Sequence, residues 1–165
     1  LDRLPPAAYK LSALAGREMT LAVEPALSSP AQNQTAGHQY LLLALPFGRV
    51  SVSEPLQAVF VKAAWILSER GYRARTGANA DGESLTIKLA GLSASGYDLL
   101  FTRNVICSVE LQGERQPSGS SVTQSATARG ESSAFRRYAF QNELEYHCEK
   151  ALELALRQLF DYLQL

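Results

Sequence analysis

From position 40 onward, apolar and polar positions repeat with two different periods. Tyr40 to Phe47 is a short continuous apolar run interrupted by Pro46 and closed by Gly48; that length and those flanks predict a buried strand. Ser53-Glu54-Pro55 supplies a hydroxyl, an acid and an early proline, the makings of a helix entrance. Leu56, Val59, Phe60, Ala63, Ile66 and Leu67 then recur at helical spacing, Val61 and Trp65 widen the apolar face, and Gly71 supplies the stop. Tyr72 to Thr76 predicts a short strand and Gly77 to Gly82 a turn. Leu85, Ile87 and Leu89 alternate with Thr86 and Lys88, the two-residue period of a strand. The small residues Gly91 to Gly96 predict a bend or hairpin. Tyr97 to Leu111 is the longest strand candidate, with Tyr97, Leu99, Phe101, Val105, Cys107, Val109 and Leu111 on one face and Arg103 as the exception. Gln112 to Ser121 has turn composition. Val122 to Gly130, rich in Thr, Ser and Ala, suits a less buried or edge strand.

The closing segment is the clearest. Between Ala139 and Leu163, the residues Phe140, Leu144, Cys148, Ala151, Leu152, Ala155, Leu159 and Leu163 trace one helical stripe. Acids gather toward its amino end, as the helix dipole favours. The element order is therefore β-α-β-β-β-β-α. Two amphipathic helices on one face of a mostly antiparallel sheet would bury both stripes and leave the polar sheet face wet, an α+β two-layer sandwich. Residues 38–165 read as that single domain. Residues 1–37 read as a flexible or loosely packed lead-in, with Pro5, Pro6, Pro25 and Pro30 and a polar stretch from Ser28 to Gly37. Met19, Leu21 and Val23 alternate with Thr20 and Ala22, which predicts a short strand over 19–23. The chain opens on Leu1 and reads as a mature or trimmed segment.

Composition narrows the function classes. Of 165 residues, 46% are hydrophobic and 19% charged, enough apolar material for a core. Sixteen basic residues balance sixteen acidic ones, so the positive excess of a nucleic-acid binder is missing. No apolar run approaches the roughly 20 residues that span a bilayer.

The chemistry an enzyme needs is sparse. His38 and His147 are the only imidazoles. His147 adjoins Cys148, and helix neighbours point about 100° apart, so the adjacent pair cannot form a Cys–His dyad; surface or partly buried imidazoles are the plainer reading. No metal-ligand spacing, dinucleotide fingerprint or phosphate loop occurs, and the chain holds four Asp. No cofactor is expected. Glu143, Glu145, Glu149 and Glu153 read as a solvated helix face. Asn33-Gln34-Thr35 is a sequon by pattern that chance explains. The basic residues fall into two groups, Arg70, Arg73 and Arg75 after the first helix, and Arg136 and Arg137 before the last, flanked by Phe135 and Tyr138. They read as a solvated rim or as a partner surface for an acidic protein, lipid headgroups or a glycan. Cys107 and Cys148 fall on the two surfaces that should face each other. A strand-to-helix disulfide and a pair of buried thiols both fit.

Val52-Ser53-Glu54-Pro55 leading into a helix that ends Leu67-Ser68-Glu69-Arg70-Gly71-Tyr72 carries a family resemblance. So do Leu85-Thr86-Ile87-Lys88-Leu89 with its small-residue bend, Cys107-Ser108-Val109-Glu110-Leu111, and the closing helix from Ala151 to Leu163. Across Val50 to Leu163 the chain resembles the YajG-like bacterial lipoprotein domain and, more distantly, the LptE-like and ABC-transport auxiliary lipoproteins. The resemblance implies a periplasm-facing domain tethered to the outer membrane through a lipid anchor preceding this chain. It also implies a non-catalytic accessory role in envelope transport or assembly through an envelope protein partner, and it carries no catalytic residues. The alternative is a carrier of a lipid or other amphipathic molecule between helices and sheet, lined by Trp65, Phe60, Leu99 and Phe101.

Overall fold

The structure, a computed structural model, describes residues 17–26, 35–41, 45–51, 54–77, 82–99, 102–136 and 143–165. In chain order these form β1 (Arg17–Pro25), β2 (Thr35–Leu41), β3 (Leu45–Ser51), α1 (Pro55–Glu69), β4 (Tyr72–Arg75), β5 (Glu83–Leu99), β6 (Thr102–Gln116), β7 (Gln124–Arg136) and α2 (Glu143–Tyr162). From β3 onward the order is the expected β-α-β-β-β-β-α, with β1 and β2 ahead of it. Both helices pack on one face of a mostly antiparallel sheet, an α+β two-layer arrangement.

The long strand β5 organises the sheet. One of its edges pairs antiparallel with β6, which pairs antiparallel with β7. Its other edge pairs in parallel with β1 over Glu83–Leu89 and with β2 over Gly96–Asp98. β4 lies outside β1, and β3 outside β2.

Four sequence expectations are corrected. The strand expected over Tyr40–Phe47 is an antiparallel hairpin of β2 and β3, with Pro46 inside β3. Proline is tolerated there because β3 is, among the described residues, an edge strand and needs no outward N–H. The bend expected at Gly91–Gly96 is instead a bulge in β5 between Leu89 and Gly91. Before it, Leu85, Ile87 and Leu89 oppose the odd residues of β6; after it Leu92 and Ala94 oppose Val109 and Cys107. One extra residue therefore switches the buried parity without reversing the chain. The strand expected over Tyr97–Leu111 is divided between two antiparallel strands. Tyr97–Leu99 end β5, with Tyr97 opposite Asn104 and so on the other face from Val105. β6 begins at Thr102 and runs to Gln116, past the turn expected from Gln112. The short strand expected at 19–23 extends over Arg17–Pro25 and sits between β4 and β5, with Met19 and Leu21 fully buried. The rest of the expected lead-in, 1–16 and 27–34, lies outside the described residues.

One apolar cluster unites the layers. Val59, Ala63, Ile66 and Leu67 of α1 share it with Met19, Leu21, Leu85 and Ile87 of the sheet. Ala151, Ala155, Leu156, Leu159 and Phe160 of α2 close over Cys107, Val109, Leu111 and Ala128. α1 ends where Gly71 takes a left-handed conformation (φ 83°) and donates its N–H to the Ser68 carbonyl, a glycine-dependent stop. Its entrance is formed by Glu54, also left-handed and without a side-chain cap, followed by Pro55; Ser53 lies outside the described residues.

Candidate interaction surface

β7 is the longest strand at an edge of the sheet among the described residues. It is 13 residues long and, among the described residues, pairs with β6 alone. Its even positions Ala128, Gly130 and Ser132 are buried beneath α2. Its odd positions Ser125, Thr127, Arg129, Glu131, Ser133 and Phe135 are exposed on the face opposite the helices. Phe135 is 66% exposed. Arg129 and Glu131 form an open ion pair at 3.6 Å, and such a contact in water contributes little to stability. The expected edge strand is thus present, over Gln124–Arg136 rather than Val122–Gly130.

The basic residues after α1 divide. Arg70 is committed internally: its guanidinium donates to the main-chain oxygen of Leu165 at 2.6 Å and to Asp161 at 2.7 Å, and stacks over Phe160. Arg115 of β6 donates to the carbonyls of Leu163 and Gln164. The last turn of α2 has no basic residue of its own. Two arginines from elsewhere in the fold therefore satisfy its terminal carbonyls and complement its dipole. Arg75 pairs with Glu18 at 2.5 Å across neighbouring strands, and Arg73 is exposed on β4. Arg136 closes β7 opposite Arg103, while Arg137 and Tyr138 lie outside the described residues. Phe135 and the group Arg70, Arg73 and Arg75 are on different elements at opposite edges of the sheet.

Cys107 and Cys148 are joined by a disulfide, with Cα atoms 5.1 Å apart, that staples β6 to α2. Beside it lies a polar pair that sequence reasoning missed. Ser132, the register partner of Cys107, shares a 2.7 Å hydrogen bond with Nδ1 of His147. The pair has the reach of a nucleophile and its base. Ser132 is 7% and His147 6% exposed, so both are packed under the amino-terminal half of α2. The alternation of β7 continued past Gly130 could have flagged Ser132 as inward-facing. His38 is exposed on β2. Among the described residues, no cluster of three potential metal ligands occurs.

Of the residues named for a lipid-binding cavity, Phe60 and Trp65 pack against the core, Trp65 between Lys62 and Arg157. The side chain of Leu99 and all of Phe101 lie outside the described residues. Glu153 joins Arg157 and Lys62 at the junction of the two helices, rather than standing free on a solvated face.

A solved structure described as an uncharacterized protein aligns over 90% of this chain and 99% of its own, at TM-score 0.54 and 11% identity. A minor lipoprotein from Acinetobacter baumannii aligns over 88% of each chain at TM-score 0.49 and 10% identity. Rare lipoprotein B from Shewanella oneidensis aligns over 90% of this chain and 92% of its own, at TM-score 0.43 and 13% identity. The likeness is one of fold. No family model and no curated protein matches the sequence, so the tie to the YajG-like domain stays a resemblance of element order and apolar spacing.

Proposed function

We propose that this chain is the periplasm-facing domain of a lipid-anchored bacterial envelope protein, serving an outer-membrane transport or assembly system through protein contacts and without chemistry of its own. The observation that carries the contact role is β7, whose hydrogen-bonding edge faces away from β6 over 13 residues. Such an edge is a template for strand addition. The Cys107–Cys148 disulfide supports an oxidising compartment, since bridges of this kind persist outside the cytosol. Burial of the Ser132–His147 pair supports a non-catalytic reading of that contact.

The test is site-specific photo-crosslinking in the native envelope, using the full-length protein with probes at Thr127 and Ser133 of β7 and, as a control, at Gln57 on the exposed side of α1. Discrete protein adducts from β7 alone are expected. Adducts of equal yield from Gln57, or none from β7, would overturn the reading. Recovery of the protein in the cytosolic fraction would overturn the compartment.

A further inference from the structure

We infer that the occupant of the β7 edge is β7 of a second copy of this chain, paired antiparallel about a two-fold axis at Gly130. The inference rests on the reading of β7 as the contact edge and names what covers it.

Three observations converge. The first is how the other edges are managed. β4 is four residues long and carries Arg73 and Arg75, and β3 contains Pro46. Short length, charge and proline all discourage strand addition. β7 is 13 residues long and has no proline, and its exposed charges Arg129 and Glu131 are of opposite sign.

The second is self-complementarity. Antiparallel pairing centred on Gly130 sets Arg129 of one copy opposite Glu131 of the other, and Glu131 opposite Arg129, on the exposed face. Each Arg129 already lies 3.6 Å from Glu131 of its own chain, so the four side chains would alternate in sign. Shifting the register by two residues either way sets Arg129 against Arg129 or Glu131 against Glu131. Opposite charges across a ladder stabilise it and like charges destabilise it. In the Gly130 register Thr127 faces Ser133, and the exposed Phe135 lies over Ser125. A two-fold interface must be complementary to itself in this way.

The third is α2. Gly130 packs directly under the backbone of Ala151 and Ala155, so α2 rides close to the sheet edge at the level of the axis. Glu153 and Arg157 turn toward α1, where they meet Lys62 and Glu69. Leu154 lies on the helix surface between Arg157 and Ala151, about 60° from each, and is 46% exposed. The two-fold keeps both helix layers on one side of the joined sheet. It would turn the Ala151 and Leu154 side of each helix toward the other copy, giving the exposed Leu154 an apolar neighbour.

Sedimentation velocity of the full chain over a wide concentration range tests the pairing, with R129E, E131R, L154E and the double variant R129E/E131R. The wild type is expected to dimerise. Each single reversal sets like charges opposite twice per dimer and should raise Kd about tenfold or more. The double variant restores both pairs and should return Kd to near wild type. L154E should also weaken the dimer. Circular dichroism checks that each variant folds, which is expected because all three positions are exposed. A wild type that stays monomeric at every concentration, or a dimer indifferent to both single reversals, overturns the inference. Cross-links from β7 to a different protein, with a monomer in sedimentation, would leave the contact role of β7 standing and sink only the self-pairing.

Discussion

Gly130 on β7 and Ala151 on α2 touch backbone to backbone: a Cβ on Gly130 would collide with the Ala151 carbonyl oxygen and lie 2.6 Å from the Ala155 amide nitrogen. The contact places α2 over β7 and lets Cys148 reach Cys107. Neither neighbour can move without lifting the helix from the sheet, because the obstructing atoms are main chain. G130A should therefore cost about 3 kcal/mol or more, the upper end of overpacking penalties. Urea denaturation reads the loss. A midpoint equal to wild type would show that α2 tolerates displacement. Gly37, whose Cβ would collide with the Ala94 carbonyl oxygen, should behave alike and ties β2 to β5 in the same manner.

Arg115 and Glu83 form the most buried ion pair among the described residues, with side chains 12% and 10% exposed. Arg115 Nε donates to Glu83 at 2.7 Å while Nη1 donates to the Leu163 carbonyl. One guanidinium thus neutralises a carboxylate inside the sheet and caps a helix. R115M leaves Glu83 buried and uncompensated, and should cost about 3–5 kcal/mol. R115M/E83Q removes the stranded charge and should recover part of that loss, the remainder reporting the lost cap. Equal destabilisation by the single and double variants would refute this division.

How far these relationships were legible in the sequence depends on their range. α1, α2 and the buried faces of β5 and β6 follow from local periodicity, since burial recurs every 3.6 or every two residues within one element. The bulge after Leu89 left a trace as well: apolar residues fall on odd positions to Leu89 and then on Leu92 and Ala94. Small residues there look like a turn when the shift in parity is not counted. Arg70 and Arg115 were opaque for another reason. Each binds carbonyls of the α2 terminus 95 or 48 residues away, and no local pattern distinguishes such an arginine from a solvated one. Ser132 and His147 each look unremarkable until β7 and α2 are superposed.

Lys88 donates to Glu114 at 2.8 Å across β5 and β6 on the exposed sheet face. That hydrogen bond, reinforced by the charges of Glu114 and Glu24, raises the ammonium pKa above its ordinary 10.5. A raised pKa means the folded state favours the charged form. Its contribution is therefore fully present below pH 10.5 and is lost as the pH climbs through the folded value. Both side chains are partly open to water, which screens the contact, so the effect is small. Comparing urea midpoints of wild type and E114Q should show a slight deficit for E114Q that shrinks as the pH rises beyond 10.5. A deficit that grows with pH would reverse the sign of the argument.

The Cys107–Cys148 bridge closes a loop between residues 41 apart in sequence that includes the end of β6, all of β7 and the start of α2. Constraining a loop of that length in the unfolded chain is worth about 4 kcal/mol on chain-entropy grounds, and measured bridges commonly deliver 2–4 kcal/mol. C107A/C148A should fall within that range of destabilisation, and dithiothreitol should lower the wild-type midpoint while leaving the double variant unaffected. Because the bridge joins α2 to β6 beside the buried Ser132–His147 pair, its loss should first release the amino-terminal half of α2. Hydrogen exchange over Glu143–Leu152 should therefore accelerate more than exchange over α1. Thiol titration of unreduced, denatured protein isolated from its native envelope should find no reactive thiol. Two reactive thiols there would remove the bridge in vivo, and with it the physical argument for an oxidising compartment.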